Sequence, residues 1–405
     1  MTADLVVKNI GNLYTLEGPV PRRGRELGQQ KRYQKAALAI KDGVFCGVGN
    51  SIDVLTQWDG FKEFDAGGAC VIPAFVDSHT HLVFAGNRAD EYEMRLTGQT
   101  YETIMKAGGG IANSVKATRE ATDAQMYEQS ARRMQDMITH GTTTFEIKSG
   151  YGLDVDTEVR QLEMAKLLGK NFGVTVKTTF LGAHSFPKEY THEEYFDLLT
   201  GEMLDACKPL ADFIDVFCDK GVFTNQETEM IVNHSGMPCR LHCDELADTG
   251  GAALAASLGA KSADHLINTS DEGFKAMAQS GTVATFLPGT SFFLNKPYAR
   301  VRRAIELGCI VALSTDRNPG SCTIQSIPHV IGLACMMYGM TPAEALTATT
   351  INAAYSLRVH DSVGSIEIGK KADFLVLGGD SFNVLPYEFS NNPIRNVFIS
   401  GKEVR

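Results

Sequence analysis

The pattern of apolar and polar residues differs between the two ends of the chain and its middle. Near both ends, short runs of β-type residues are separated by turn signals such as Lys41-Asp42-Gly43 and Ser400-Gly401-Lys402, which is typical of β-hairpins. Neither end alone holds enough strands for a stable sheet. We therefore predict that residues 1–66 and 360–405 pair into one small composite β-domain, a β-sandwich formed by both chain ends.

Between residues 67 and 359, short apolar runs alternate with segments of helical period such as 156–168 and 193–207. The eight candidate strands are 70–76, 142–147, 175–181, 213–218, 239–242, 262–266, 282–287 and 309–313. Eight parallel strands with intervening helices close a barrel, and the first strand is not followed by the G-x-G-x-x-G turn of a dinucleotide-binding sheet. The predicted fold class is α/β, a (β/α)8 TIM-type barrel over residues 67–359.

Composition narrows the classes of partner. The 405 residues are 43% hydrophobic and 21% charged, which is ordinary globular usage, and the net charge of −10 repels nucleic acid. No apolar stretch is long enough for a membrane span, and residues 1–12 do not resemble a signal peptide. The nine scattered cysteines are interpreted as reduced thiols. We therefore expect a cytoplasmic protein that binds neither nucleic acid nor membranes.

Polar residues that can bind metal follow several of the apolar runs. They are His79, His81, His184, His242, His265 and Asp316. In a barrel the carboxyl ends of all strands open onto one face, so these side chains are expected to converge. His79 and His81 are two residues apart, and in extended backbone alternate residues share a face. We predict that His79, His81, His242 and Asp316 bind one divalent metal ion, zinc or iron, which activates water.

Motifs along nearly the whole chain resemble the metal-dependent amidohydrolase superfamily. They include the H-T-H of 79–81, the S-T-D of 314–316 and the G-S-I-E-I-G-K-K-A-D of 364–373. Four loops narrow the resemblance to the imidazolonepropionase family: 79–88 (HTHLVFAGNR), 148–153 (KSGYGL), 180–184 (FLGAH) and 316–321 (DRNPGS). The resemblance implies a hydrolase that opens the ring of 4-imidazolone-5-propanoate to N-formimino-L-glutamate during histidine degradation.

The resemblance also implies catalytic roles. Glu245 and His265 are expected to orient and activate the water and to polarise the substrate carbonyl. Asp316 is expected to carry a proton to the leaving nitrogen. The division of proton transfer among the three groups stays open, and a neutral imidazole at position 265 suits it as a proton acceptor.

Substrate-binding residues follow from the same comparison. Arg88 is expected to pair with the carboxylate of the propanoate arm, because a guanidinium can hold a carboxylate in a bidentate pair. The remaining substrate contacts are assigned to Tyr151, His184, Glu245, Asn318, Gly320 and Ser321. Gly108-Gly109-Gly110 is expected to lie in a flexible lid. The resemblance also implies a homodimer, which is an expectation here.

Two other functions remain open from the residues alone. A related amidohydrolase, such as a deaminase, could act on a nucleobase-like ring without a carboxylate, but such a substrate gives Arg88 nothing to pair with. A barrel that serves only as a scaffold would have little reason to keep the metal ligands together with Glu245 and His265. Metal analysis with an activity assay distinguishes the three.

Overall fold

Eight parallel strands form a barrel in the middle of the chain. The computed structural model describes residues 1–99 and 109–405, so that Gly108 of the expected lid lies outside the described residues. The barrel strands are β6 (Phe75–Asp77), β7 (Thr142–Lys148), β8 (Thr175–Ala183), β9 (Phe213–Cys218), β10 (Cys239–Cys243), β11 (Ser262–His265), β12 (Val283–Phe286) and β13 (Ile310–Leu313). Each strand pairs in parallel with the next one in sequence, which confirms the predicted fold class.

The barrel closes between its first and last strands through residues at and just beyond the strand ends. Ser78 donates its backbone N–H to Ser314 Oγ at 2.9 Å, and Thr315 donates from both its backbone N–H and its hydroxyl to Asp77. The backbone N–H of Asp316 donates to the carbonyl of His79 at 3.1 Å. These contacts bring the two ends of the barrel sequence side by side at the carboxyl face.

The two chain ends form a second sheet. Its strands are β1 (Thr2–Tyr14), β2 (Arg32–Lys41), β3 (Val44–Asn50), β4 (Asp59–Asp65), β5 (Cys70–Pro73), β14 (Phe374–Leu377), β15 (Ile394–Ile399) and β16 (Lys402–Glu403). Strand β5 joins the two ends, since it pairs with β1 on one side and with β14 on the other. The domain limits at residues 66/67 and 359/360 stay a prediction.

The run 70–76, predicted as one strand, is two strands in different sheets. Cys70–Pro73 belongs to the terminal sheet and Phe75–Asp77 begins the barrel, with only Ala74 between them. Both segments are fully buried, so the apolar pattern continues without a break across the change of sheet.

Helices connect the strands, and most of them cover the outside of the barrel, while the first one packs on the terminal sheet. They are α1 (Ser51–Gln57), α2 (Ala89–Leu96), α3 (Ile111–Glu120), α4 (Asp123–Thr139), α5 (Val155–Phe172), α6 (His192–Thr200), α7 (Glu202–Cys207), α8 (Asn225–Ser235), α9 (Gly251–Ser257), α10 (Asp271–Ser280), α11 (Pro288–Leu294), α12 (Val301–Glu306), α13 (Ile327–Met337), α14 (Pro342–Ala348), α15 (Ile351–Ser356) and α16 (Val384–Tyr387). The segment 193–207, predicted as one helix, is broken at Gly201, whose φ of −103° and ψ of −111° are not helical.

All nine cysteines lie among the described residues and none is disulfide-bonded, in agreement with the reduced thiols predicted. Over residues 1–99 and 109–405, no helix has the length and apolar character needed to cross a membrane.

Candidate metal centre and active site

The four predicted metal ligands converge at the carboxyl face of the barrel. Asp316 Oδ1 lies 3.6 Å from both His79 Nε2 and His81 Nε2, and His242 Nε2 lies 3.3 Å from His81 Nε2. All four side chains are buried. Ligand atoms about 2.1 Å from a tetrahedral ion lie roughly 3.4 Å apart, so this spacing fits one metal ion.

The protonation state of His79 and His81 also fits a metal. Burial lowers the pKa of His79 and of His81 well below the usual range, so both imidazoles are neutral. Neutral imidazole is the form that coordinates metal. The Nε2 atom of His79 is buried and has no hydrogen-bond partner among the described residues, which a coordinated ion would correct. The cluster therefore has the residue types, the spacing and the burial that a divalent metal ion requires.

Two ligand imidazoles are supported by carboxylates that sequence reasoning missed. Asp264 Oδ2 lies 2.7 Å from His79 Nδ1, and Asp215 Oδ2 lies 3.1 Å from His242 Nδ1. A carboxylate at Nδ1 holds the ring orientation and leaves Nε2 for the metal. The sequence feature that could have revealed Asp215 and Asp264 is a single acidic residue within an apolar strand. Such a residue is buried and needs a buried partner.

Buried cationic side chains contact these carboxylates in turn. Lys148 Nζ donates to Asp215 at 2.8 Å and to Glu146 at 2.7 Å, and Arg240 Nη2 lies 3.4 Å from Asp264. The side chains of these five residues are inaccessible to solvent. The interior beneath the metal cluster is therefore an ion-pair layer and not the branched apolar layer usual in such barrels.

Glu245 and His265 lie next to each other and beside the ligands. Glu245 Oε2 is 3.7 Å from His265 Nδ1, and a ligand atom of His265 lies within 4.8 Å of one on His79 and one on His242. Burial raises the pKa of Glu245 to about 7 and lowers the pKa of His265 to about 4. At neutral pH the imidazole is thus neutral, and the carboxyl group is near its titration midpoint.

The backbone at these positions is strained. His265 has a φ of 75° and Asp316 a φ of 54°, in the left-handed region that non-glycine residues rarely adopt. Asp244, which precedes Glu245, has a φ of 52°. Strain of this kind collects at functional sites and costs roughly 1–3 kcal/mol for each residue. Contacts around each residue therefore have to hold these conformations in place.

The loop that carries Glu245 is held by two further carboxylates that sequence reasoning missed. Asp219 accepts the backbone N–H groups of Glu245, Leu246 and Ala247 at 2.7, 2.9 and 3.2 Å. Asp244 accepts four hydrogen bonds from the segment 249–252 and one from the Thr269 hydroxyl. The position of Glu245 is therefore determined by buried acids on each side of its loop.

Tyr151 and His184 flank the cluster on the side of His81. The ring centroids of His81 and His184 are 5.1 Å apart and nearly parallel, and Tyr151 lies 5.3 Å from His184 and 5.8 Å from His81. His184 Nδ1 is 2.8 Å from the carbonyl of Gly150, which fixes that nitrogen as a donor and leaves Nε2 as an acceptor. Both residues are buried and belong to the site.

Arg88 and the turn after Asp316 are in contact. A side chain at Gly320 would place its Cβ 1.9 Å from Arg88 Nη1, so only glycine lets the guanidinium pack on this turn. Arg88 Nε donates to Glu91 at 2.8 Å, which leaves its Nη atoms for another anion. The side chain of Asn318 forms its hydrogen bonds within the turn, with Asp316, Gly320 and Ser321. Asn318 therefore shapes the turn and has little capacity left for a ligand.

Comparison with known proteins places this site in a family. The model of the amidohydrolase family matches residues 70–404, a segment that contains all of the residues above. The chain belongs to the amidohydrolase family. Within the family it is similar over nearly its whole length to proteins named imidazolonepropionase, which confirms the resemblance inferred from the four loops.

Three of these relatives have the following similarity. The protein from Symbiobacterium thermophilum is 46% identical, over 98% of this chain and 96% of its own. The protein from Bacteroides fragilis is 43% identical, over 99% of both chains. The protein from Clostridium tetani is 42% identical, over 99% of this chain and 98% of its own.

Solved structures share the fold at low sequence identity. An adenosine deaminase from Xanthomonas campestris with bound zinc has a TM-score of 0.73 and 17% identity, over 99% of this chain and 93% of its own. A mutant atrazine chlorohydrolase from Arthrobacter aurescens, complexed with zinc and atraton, has a TM-score of 0.77 and 14% identity, over 99% and 95%. At such identity these structures support the amidohydrolase fold and not a deaminase activity.

Proposed function

We propose that this amidohydrolase opens the ring of 4-imidazolone-5-propanoate to give N-formimino-L-glutamate, a step of histidine degradation. The proposal is carried by the 42–46% identity, over almost the full chain, with proteins named imidazolonepropionase. We further propose that the metal is zinc or iron, and that the enzyme is a cytoplasmic homodimer. The homodimer is proposed from the resemblance alone.

The reaction adds water to the ring carbonyl carbon and breaks the bond from that carbon to the ring nitrogen. A new C–O bond forms, the carbon becomes a carboxylate, and the leaving nitrogen takes a proton. A divalent ion held by His79, His81, His242 and Asp316 supplies Lewis acidity, which makes water a nucleophile at neutral pH. Protein side chains then have to place the substrate and move the protons.

Glu245 and His265 are proposed to manage the first proton. The neutral imidazole of His265 can accept a proton from the attacking water, and the 3.7 Å separation lets Glu245 stabilise the resulting imidazolium. Asp316 is proposed to take the second proton of the attacking water and to carry it to the leaving nitrogen. Its second oxygen accepts a 2.5 Å hydrogen bond from the Thr290 hydroxyl, which holds the carboxylate in position.

Arg88, Tyr151 and His184 are proposed to position the substrate. The Nη atoms of Arg88 suit the propanoate carboxylate, and the acceptor Nε2 of His184 suits a ring N–H. Gly320 and Ser321 border Arg88 and are proposed to receive the same end of the molecule. The contribution of Asn318 is proposed to be the shape of this turn.

The test is turnover by the purified protein together with metal analysis. We expect hydrolysis of 4-imidazolone-5-propanoate, no turnover of a panel of nucleobases, and about one zinc or iron ion per chain. Arg88→Met should raise KM at least tenfold, because it removes a charge-assisted pair worth about 1.5–3 kcal/mol, and should leave metal content unchanged. Turnover of a nucleobase instead, or a metal-free active protein, would refute the proposal.

A further inference from the structure

A cavity of about 430 Å³ lies beside the Arg88 loop, and its charged lining consists of arginines. This volume is within the range of pockets that bind small molecules, about 300–1,000 Å³. The side chains that matter for its chemistry are Phe84, Arg88, Tyr92, Arg95, Arg133 and Arg317.

The positive charge of this lining is poorly balanced. Among the four arginines, only Arg88 has a carboxylate within ion-pair distance in the described part of the chain, namely Glu91 at 2.8 Å. Glu91 also accepts hydrogen bonds from the backbone N–H of Gly110 and from Asn113. The other three guanidinium groups lie around one cavity and have no carboxylate within 4.0 Å among residues 1–99 and 109–405, in a protein whose net charge is −10.

Arg133 has a structural explanation. Its Nη1 donates to the carbonyls of Leu82 and Phe84 at 3.0 and 2.8 Å, and its guanidinium lies 3.5 Å from the centroid of the Phe84 ring. These contacts tie helix α4 to the loop after β6. Arg133 adds positive charge to the cavity, but these contacts within the protein already account for its position.

Arg95 is held in place but keeps donors to spare. Its guanidinium lies between two rings, 5.5 Å from the centroid of Tyr92 and 5.4 Å from that of Phe293. One Nη2 donor reaches the carbonyl of Gly320 at 3.3 Å, the same turn on which Arg88 packs. The remaining N–H groups of Arg95 have no hydrogen-bond acceptor in the described part of the chain, and they lie next to Arg88 in the cavity lining.

Arg317 is the second cation with unused donors. Its Nη1 donates to the carbonyl of Asn318 at 2.7 Å, and its Nε is buried with no acceptor among residues 1–99 and 109–405. The guanidinium lies 5.5 Å from the centroid of Phe84. A buried charged donor without a partner is costly, and a bound anion would remove that cost.

We propose that Arg95 and Arg317 form an anion-binding subsite next to Arg88, and that it binds a carboxylate or another small oxyanion. Guanidinium groups bind planar or tetrahedral oxyanions through charge-assisted hydrogen bonds, and the rings of Phe84, Tyr92 and Phe293 keep these arginines oriented. The cavity is too small for a polyanion, which the net charge would repel. The subsite goes beyond the proposed hydrolysis and is tested without turnover.

The experiment is calorimetric titration of the full-length, metal-loaded protein with inorganic phosphate and, separately, with glutarate at constant ionic strength. The variants are Arg95→Met and Arg317→Met, with Arg132→Met as the matched control. Arg132 precedes Arg133 on α4, but its side chain is 75% exposed and does not line the cavity. Melting temperatures establish that each variant is folded, and Arg317→Gln replaces Arg317→Met if the latter is not.

We expect millimolar or tighter binding of at least one probe by the wild-type protein and by the control. Both Arg95→Met and Arg317→Met should bind that probe at least tenfold more weakly. Binding of phosphate but not glutarate would identify the ligand as an inorganic anion, and the reverse as a carboxylate. Absence of binding overturns the subsite. An affinity that is unchanged in either cavity variant also overturns it, because the anion would then sit on the metal or on Arg88 alone.

Discussion

Burial acts in opposite directions on two neighbouring groups of the site. It raises the pKa of Glu245 to about 7 and lowers that of His265 to about 4, because each loses the water that would stabilise its charged form. Between pH 4 and 7 both groups are therefore predominantly neutral. Only above pH 7 is the carboxylate ionised while the imidazole remains a proton acceptor.

We therefore expect kcat/KM to fall tenfold per pH unit below about pH 7, as Glu245 becomes protonated in the free enzyme. The measurement is kcat/KM from pH 5.5 to 9, with metal content determined at each pH, since loss of the ion would also lower activity. A profile that stays flat down to pH 5.5 with the metal retained would show that the ionised Glu245 is not required.

His265→Asn removes the proposed proton acceptor but no predicted metal ligand. We expect kcat to fall by about 10²–10⁴-fold, the usual contribution of general acid–base catalysis, with unchanged metal content. The matched control is His234→Asn, since His234 is exposed on α8. If metal is lost together with activity, His265 is a ligand and not a shuttle.

The sequence singles out the four predicted metal ligands but not the carboxylates that contact them. The barrel brings the carboxyl ends of all its strands to one face, so polar residues at those ends lie close together. The residues at such ends are His79, His81, His242 and Asp316. Asp215 and Asp264 lie within strands, where a buried acid shows only that some partner exists. The partners come from other strands, and a single sequence does not record that pairing.

At the level of elements, buried acidic residues and glycines fix the conformations of the loops around the site. Asp219, at the end of β9, holds three consecutive backbone N–H groups of the loop that carries Glu245. Gly320 lets the loops after the first and last barrel strands touch through Arg88. The apolar pattern predicts the order of the barrel strands. It does not predict that 70–76 is divided between two sheets, because Ala74, which separates the two strands, is not a typical turn residue.

Asp219→Asn should loosen the Glu245 loop, because an amide accepts these hydrogen bonds more weakly than a carboxylate does. We expect a drop in kcat of about tenfold or more, a smaller change in KM and no change in metal content. Asp248→Asn is the control, since Asp248 is exposed in the same loop. Equal kcat values for the two variants would show that the Asp219 charge does not position Glu245.

For the whole molecule, one site links distant parts of the chain. His79 and His81 follow the first barrel strand, His242 lies on the fifth and Asp316 follows the last, so a bound ion connects strands on both sides of the closure. Such an ion binds the folded protein more tightly than the unfolded chain, in which His242 and Asp316 are far from the paired histidines. Metal binding is therefore linked to global stability.

Removal of the metal by a chelator should lower the melting temperature. An ion present at 100 times its Kd contributes about 2.7 kcal/mol to the free energy of unfolding, which corresponds to a shift of a few degrees. Differential scanning calorimetry before and after chelation measures the shift, and re-addition of zinc or iron should reverse it. Asp316→Asn should show a much smaller response, whereas a wild-type Tm insensitive to complete metal loss contradicts the linkage.

The closure of the barrel between Asp77–His79 and Ser314–Asp316 has a consequence for biosynthesis. More than 200 residues must be added to the growing chain after His81 before Asp316 is synthesised, which takes roughly 10 to 50 seconds at cellular translation rates. Strand β14, which completes the pairing of β5, is translated later still. A nascent chain thus carries the paired histidines without Asp316 for roughly 10 to 50 seconds, and the complete set of predicted ligands exists only after translation has passed the last barrel strand.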